Sequence, residues 1–198
     1  MNDGFVVIRM FTFLNEAIRR PNEIGAVSPC TPQAIRRGLS VLDLERAKVI
    51  VECGCGTGVF TRHILKRLRP DQVFFALEIN RRFVKVARLK APGATIYNDS
   101  VSNLPTYLAK HGVSHSDCII STLPWASFNP YRQQELLDNI HANLGPDGEF
   151  LTIAYNVGTY SKKGRRFKKH IHDLFRDVTK TPTVWRNLPP AFFYHARK

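Results

Sequence analysis

Short runs of β-branched and aromatic residues alternate along this chain with segments whose apolar positions recur every three or four residues. The runs Val49-Ile50-Val51, Val73-Phe74-Phe75-Ala76-Leu77 and Cys118-Ile119-Ile120 are nearly continuous, as expected of strands covered on both faces of a parallel sheet. Shorter strands are predicted over residues 94–97 and 149–155. Helical spacing predicts helices over 59–68, 81–89, 104–110 and 132–144, the last ending at Gly145-Pro146-Asp147-Gly148. Two late segments, 183–186 and 191–194, separated by Asn187-Leu188-Pro189-Pro190, read as a closing antiparallel pair. Strand and helix in alternation predict an α/β fold with a doubly wound sheet.

Ahead of this core, residues 5–20 place Val7, Phe11, Leu14 and Ile18 on one side of a helix, with Arg9, Glu16 and Arg20 on the other. Such a helix either lies in a membrane interface, with Arg19 and Arg20 on headgroup phosphates, or packs against the domain. The spacing leaves both open. Pro21 ends it. Gly25-Ala26-Val27-Ser28-Pro29-Cys30 is small and turn-prone, a connector or a loop able to close over a ligand. Thr31 then reads as the N-cap of a helix over 33–42, with Pro32 in its first turn.

The first strong strand runs into Glu52-Cys53-Gly54-Cys55-Gly56-Thr57-Gly58, a glycine-rich turn before a helix. Glycines there let the backbone bend sharply and approach a ligand. A dinucleotide fingerprint would be spaced Gly-x-Gly-x-x-Gly, whereas this loop is Gly-x-Gly-x-Gly. Glu78 closes the next strand about twenty residues on, where a carboxylate can accept bonds from both ribose hydroxyls. Asp99 stands at the corresponding place after the third strand.

Composition narrows the partners. The chain of 198 residues carries 29 Lys plus Arg against 16 Asp plus Glu, a formal charge of +13, so a polyanion is expected, either nucleic acid or an anionic membrane surface. The densest run, Lys162-Lys163-Gly164-Arg165-Arg166-Phe167-Lys168-Lys169, suits a membrane surface with Phe167 inserted, an RNA-phosphate patch, or a solvated helix face. No apolar stretch is long enough for a spanning helix and no secretory leader is evident, which predicts a cytoplasmic protein. Cys30, Cys53, Cys55 and Cys118 are scattered, so neither a disulfide framework nor a metal site is expected, and His170 and His172 lack further ligands at metal spacing.

The pattern Glu-x-Gly-x-Gly-x-Gly at 52–58 resembles the first motif of the class I S-adenosylmethionine methyltransferases. That resemblance implies a Rossmann-like, mainly parallel seven-stranded sheet with a closing antiparallel strand. It implies Glu52 beside the methionine part of the cofactor and the loop Gly54, Cys55, Gly56, Thr57 and Gly58 around it. Glu78 would serve the ribose and Asp99 the adenine, with Ile79, Ser100 and Ser121 also against the cofactor. At the end of the fourth strand stands Ser121-Thr122-Leu123-Pro124-Trp125. Base-amine methyltransferases usually carry Asn or Asp, then Pro-Pro or Leu-Pro, then Tyr or Phe at this place; a hydroxyl is a poorer polariser of an aryl amine.

Together with Gly25-Ala26-Val27-Ser28-Pro29, Tyr155 and Arg186-Asn187-Leu188-Pro189-Pro190-Ala191, this segment is similar to the bacterial phospholipid N-methyltransferases, relatives of the ribosomal RNA adenine dimethylases. The resemblance implies one domain, with residues 1–24 as an amphipathic membrane-association helix and 25–198 as the catalytic core. It implies methyl transfer from S-adenosylmethionine to phosphatidylethanolamine, toward phosphatidylcholine, with S-adenosylhomocysteine as product, on the inner face of the membrane. Ser121, Trp125 and Tyr155 would serve catalysis, and Ser28, Trp125, Tyr155 and Arg186 the lipid headgroup. Phe11, Arg19, Arg20, Lys162, Lys163, Arg165, Arg166, Lys168 and Lys169 would meet the membrane. The alternatives are an RNA amino-methyltransferase using the same basic surface, nucleic acid being the less favoured partner, and a non-catalytic lipid-binding module.

Overall fold

The structure, a computed structural model, describes residues 30–198. The expected helix over 5–20, Ser28, and the membrane contacts Phe11, Arg19 and Arg20 lie outside the described residues. Seven strands form one sheet in the order β3-β2-β1-β4-β5-β7-β6. Strands β1 (Val49–Cys53), β2 (Val73–Leu77), β3 (Ile96–Tyr97), β4 (Ser116–Ser121) and β5 (Leu144–Tyr155) pair in parallel. Strand β7 (Ala191–Arg197) runs antiparallel to both β5 and β6 (Asp177–Lys180).

Helices cover both faces, which is why β1 is buried at every position. Even-numbered residues of β1 and β4 (Ile50, Cys118, Ile120) join Phe74 and Leu151 against α1 (Pro32–Leu39), α2 (Val59–Leu65) and α3 (Arg81–Lys90). Odd-numbered ones (Val51, Cys53, Ile119) join Phe75 and Phe150 against α4 (Leu104–Lys110), α5 (Pro130–Ala142) and α7 (Lys162–Leu174). A four-residue helix, α6 (Asn156–Thr159), follows β5 directly. The order of connection reverses between β1 and β4, and the carboxyl ends of these strands flank the crevice where open α/β sheets bind ligands.

Local signals placed most helix starts correctly. Thr31 caps α1, its Oγ1 accepting the Ala34 N–H, with Pro32 in the first turn. Several boundaries move. Helix α1 stops at Leu39 and α2 at Leu65, while α5 begins two residues earlier than expected because Asn129 caps it ahead of Pro130.

Gly145–Gly148 is not a turn outside the strand. It is an outward excursion within β5, whose pairing jumps from Ser116 opposite Leu144 to Cys118 opposite Glu149, with Asp147 at φ 56°.

The expected closing pair is also corrected. Residues 183–186 contribute a single bridge, Val184 to Ala191, and the second partner of β7 is Asp177–Lys180. That edge strand escaped notice because it is polar and mostly exposed, so it carries no apolar alternation.

Candidate active site

At the tip of β1, Gly56 has φ 54° and open space where a Cβ would project, so a ligand can approach its backbone. Gly58 caps α2 at φ 77°, and a Cβ there would lie 2.9 Å from the Ala87 Cα of α3. The loop is therefore shaped from two sides: one glycine opens a cradle and the other lets two helices close behind it.

Three carboxylates stand at or just past the carboxyl ends of β1, β2 and β3, each in a different electrostatic setting. Glu52 is fully buried. Its Oε2 accepts the Thr61 hydroxyl at 2.6 Å, while Oε1 has no partner. Burial pushes this carboxyl up to about 8, with the Thr61 bond opposing and the negative Glu78 adding to the rise. An unpaired, desolvated oxygen beside a glycine cradle fits the cationic amino group of a methionine moiety, which would supply both the missing bond and the missing charge.

Glu78 accepts the Gly56 N–H on Oε2 at 2.9 Å and the Asn80 N–H on Oε1 at 2.8 Å. Burial raises its pKa, and these backbone bonds oppose the rise. Next to it Ile79 is 71% exposed, an apolar surface held out at the end of β2. Asp99 lies across from it after β3, accepting the Tyr107 hydroxyl on Oδ2 at 2.8 Å and the Ser100 N–H and Asn103 amide on Oδ1. Those three bonds, Tyr107 first, hold its carboxyl below the usual range.

The sequence reading missed two residues here. The Asn98 amide donates to the carbonyls of both Glu78 and Ile79, tying the end of β3 to that of β2. Arg132, reaching in from α5, donates to the hydroxyls of Ser100 and Ser102. Asn98 adjoins Asp99 and could have been suspected; Arg132, thirty-three positions from Asp99, carried no local signal.

The end of β4 locks onto the glycine loop. The Thr122 N–H donates to the Cys53 carbonyl at 3.1 Å and its hydroxyl to the Gly54 carbonyl. Ser121 is buried, and its Oγ accepts the Leu123 N–H at 3.3 Å, the geometry of a turn-former. Cys55 is buried within the loop, and burial drives its thiol far up, so it stays protonated.

Past this turn lies an apolar cavity of about 50 Å³. Leu123 to Ser127 form one wall and Ile153 to Tyr155 another; Val157, Gly158 and Pro189 contribute the rim. None of its lining residues is acidic or basic.

The expectation for Phe167 is corrected, and Trp125, which lines the cavity, is covered on one side. The Trp125 indole is buried and stacked on Phe167 at 4.7 Å and 15°, with Nε1 donating to Thr152 Oγ1 at 2.8 Å. One of its faces is thus already occupied, so it cannot offer that face to an ammonium. Phe167, expected at a membrane interface, is the residue that covers it, because α7 buries Gly164, Phe167 and Ile171 along one stripe. The six cations of the run, Lys162, Lys163, Arg165, Arg166, Lys168 and Lys169, all fall on the exposed face of that helix. Tyr155 borders the cavity and packs against the same core as Cys30, and burial raises its phenol well above the usual value. The same burial pushes the Cys30 thiol up to about 11. Arg186 is exposed on the turn before β7, three residues from Pro189 of the rim.

A family described as a methyltransferase domain matches residues 50–148. The chain belongs to that family. Its cofactor is S-adenosylmethionine, and the cradle fits it in three respects already described: the open Gly56 backbone, the orphaned Glu52 oxygen and the Glu78 carboxylate. The methyltransferase is 29% identical over 190 residues to an ornithine lipid N-methyltransferase of Singulisphaera acidiphila, covering 94% of this chain and 95% of the relative.

Its fold is shared with an S-adenosylmethionine-dependent O-methyltransferase from Thermotoga maritima (TM-score 0.65, 17% identity, 94% of this chain and 71% of that one). It is shared also with the N-methyltransferase NodS of Bradyrhizobium japonicum in complex with S-adenosylhomocysteine (TM-score 0.59, 16% identity, 84% of each). No helix among the described residues is long and apolar enough to cross a membrane.

Proposed function

We propose that this methyltransferase transfers a methyl group to the primary amine of a membrane-lipid headgroup, with phosphatidylethanolamine as acceptor and phosphatidylcholine as the end of the series. The observation that carries the reading is the cavity beyond Ser121-Thr122-Leu123-Pro124-Trp125: apolar, uncharged, and without the amide or carboxylate that would grip the edge of a nucleobase. Near-complete coverage by an ornithine lipid N-methyltransferase supports a lipid amine and makes ornithine lipid the second reading.

S-adenosylmethionine supplies an electrophilic methyl group, so the protein's tasks are to align the amine, exclude water and favour its neutral form. An alkylammonium comparable to Lys titrates near about 10.4 in water. Desolvation in a cavity walled by Leu123, Ala154 and Val157 shifts that equilibrium toward the free amine. Tyr155 stands at the cavity with a phenol that stays protonated, able to donate a hydrogen bond or present its ring to the growing ammonium. Glu52, Glu78 and Asp99, with Ser100 and Ile79, hold the cofactor in this reading, and Arg186 meets the headgroup anion. Residues 1–24 and the exposed cations of α7 attach the protein to the inner leaflet.

The test is transfer of radiolabelled methyl from S-adenosylmethionine to vesicles of phosphatidylethanolamine, vesicles containing ornithine lipid, and total RNA, in parallel. Label moving into mono- and dimethylated phosphatidylethanolamine is the expected outcome. Label confined to ornithine lipid selects the second reading, and label in RNA alone overturns both.

A further inference from the structure

Chain neighbours of two exposed apolar side chains line the acceptor cavity, and a third stands on the same turn as one of them. Thr159 and Pro189 belong to its lining; next to them in the chain Tyr160 and Leu188 stand 78% and 66% exposed, and Trp185, on the turn that carries Leu188, is 74% exposed. Isolated exposed hydrophobic residues need no explanation. These differ because two of them directly follow or precede residues that line one cavity, and because the turn displaying Trp185 and Leu188 is firmly braced.

Val184 N–H donates to the Ala191 carbonyl at 2.7 Å, and Asn187 N–H to the Val184 carbonyl at 3.2 Å. Asn187 itself is 1% exposed. Its amide donates to the Pro189 carbonyl at 2.7 Å and its oxygen accepts the Thr31 N–H at 3.0 Å. A buried amide thus fixes a turn whose tip holds an indole and an isobutyl group out to water.

Charge selects the partner. Arg186 sits between Trp185 and Leu188, and Lys162, Lys163 and Arg165 follow Tyr160; all four cations are exposed. Arg165 is held beside Tyr160 by donating to its carbonyl. Neither 184–190 nor 160–169 contains an acidic residue. Tryptophan and tyrosine settle where an apolar layer meets a wet one, and cations beside them meet anionic headgroups.

We propose that this rim is a bilayer-docking surface. Trp185 and Leu188 enter the upper acyl layer, Tyr160 rests among the headgroups, and Arg186 and Arg165 take lipid phosphates. So seated, the cavity faces the headgroup layer and an amine reaches it without leaving the bilayer. The inference rests on the lipid acceptor proposed above and adds the surface and orientation of contact.

The chain has two tryptophans, Trp125 buried and Trp185 exposed, so fluorescence of the full chain reads the turn directly. In solution acrylamide is expected to quench the Trp185 emission. On vesicles of phosphatidylethanolamine and phosphatidylglycerol doped with phosphatidylcholine brominated on its acyl chains, the bromine is expected to quench it, and Trp185→Phe to remove that quenching. Replacing Trp185 and Leu188 together by Ser should lower vesicle partition by roughly tenfold or more, with S-adenosylhomocysteine affinity unchanged as the check on folding.

Vesicle-bound protein without bromine quenching overturns the proposal, as does wild-type partition by the double variant. So does an indole already shielded from acrylamide in solution, which would mean that residues 1–29 or a second copy cover the rim. Methyl transfer to lipid, measured in the same samples, separates the two proposals. Transfer with an unquenched indole removes the docking surface and keeps the acceptor; quenching without transfer to any lipid does the reverse.

Discussion

The Glu78 carboxylate accepts the Gly56 N–H at 2.9 Å, so the residue that ends β2 holds the tip of the loop that ends β1. Its other oxygen takes the Asn80 N–H, and Asn80 in turn caps α3 through its own side chain. One side chain therefore shapes the cradle and offers the free lone pairs that suit ribose hydroxyls. Hydrogen bonds to charged groups contribute about 1.5–3 kcal/mol each. Glu78→Ala is expected to weaken S-adenosylhomocysteine binding by about a hundredfold while leaving attachment to anionic vesicles intact. Calorimetry and sedimentation measure the two separately, and unchanged cofactor affinity would remove Glu78 from the site.

Glu52 makes the apo protein sensitive to pH. Its folded-state carboxyl lies at about 8 against an ordinary 4.5, so the folded state binds the proton more tightly than the unfolded chain. The stability this contributes is complete below pH 4.5 and is lost as pH rises toward 8. Glu52→Gln keeps the shape and the Thr61 contact without the charge. Its melting temperature, compared with wild type, should gain steadily from pH 5 to pH 8 in the absence of cofactor, while S-adenosylhomocysteine affinity falls. A pH-independent difference in melting temperature would contradict the assignment.

The glycine cradle was legible because its parts are close in sequence: Glu52 to Gly58 is one uninterrupted signature, and Glu78 and Asp99 each end a predicted strand. What escaped was long-range or two-sided. A tryptophan at the end of a strand looks the same whether its face is free or covered, and only the packing of α7 puts Phe167 against Trp125. The basic run likewise gave no hint that Gly164, Phe167 and Ile171 would turn inward, although their spacing is helical. Asn187 read as a turn residue; its role as a buried brace depends on Thr31, 156 positions away.

Gln133 links the β4 turn to α7. Buried on α5, its amide donates to the Trp125 carbonyl at 2.9 Å and the Lys163 carbonyl at 3.1 Å. Gln133→Leu removes one donor from each carbonyl, the Trp125 carbonyl keeping only the longer Phe128 N–H bond, at a cost of about 1–3 kcal/mol. Trp125→Ala should cost more, about 3–5 kcal/mol, because it empties a stacked core position as well. Denaturant melts check both values. If Gln133→Leu were neutral in stability, α7 would be held to the turn by packing and by the Lys163 ammonium on the Ser127 carbonyl.

Tyr155 separates two ways of handling the amine proton. Burial holds its phenol above the ordinary value, so it remains protonated through the range in which the amine loses its proton. The rate of methyl transfer should therefore rise with pH along the titration of the acceptor amine itself. Tyr155→Phe should keep the inflection where it is and lower kcat less than about tenfold, the scale of one lost hydrogen bond. Tyr155→Ala, which opens the cavity to water, should lower kcat/KM further and move the inflection up toward the value of the free amine. A pH profile that loses its inflection in Tyr155→Phe would instead identify the phenol as the proton acceptor, and the apolar walls of the cavity would then have a lesser part in generating the nucleophile.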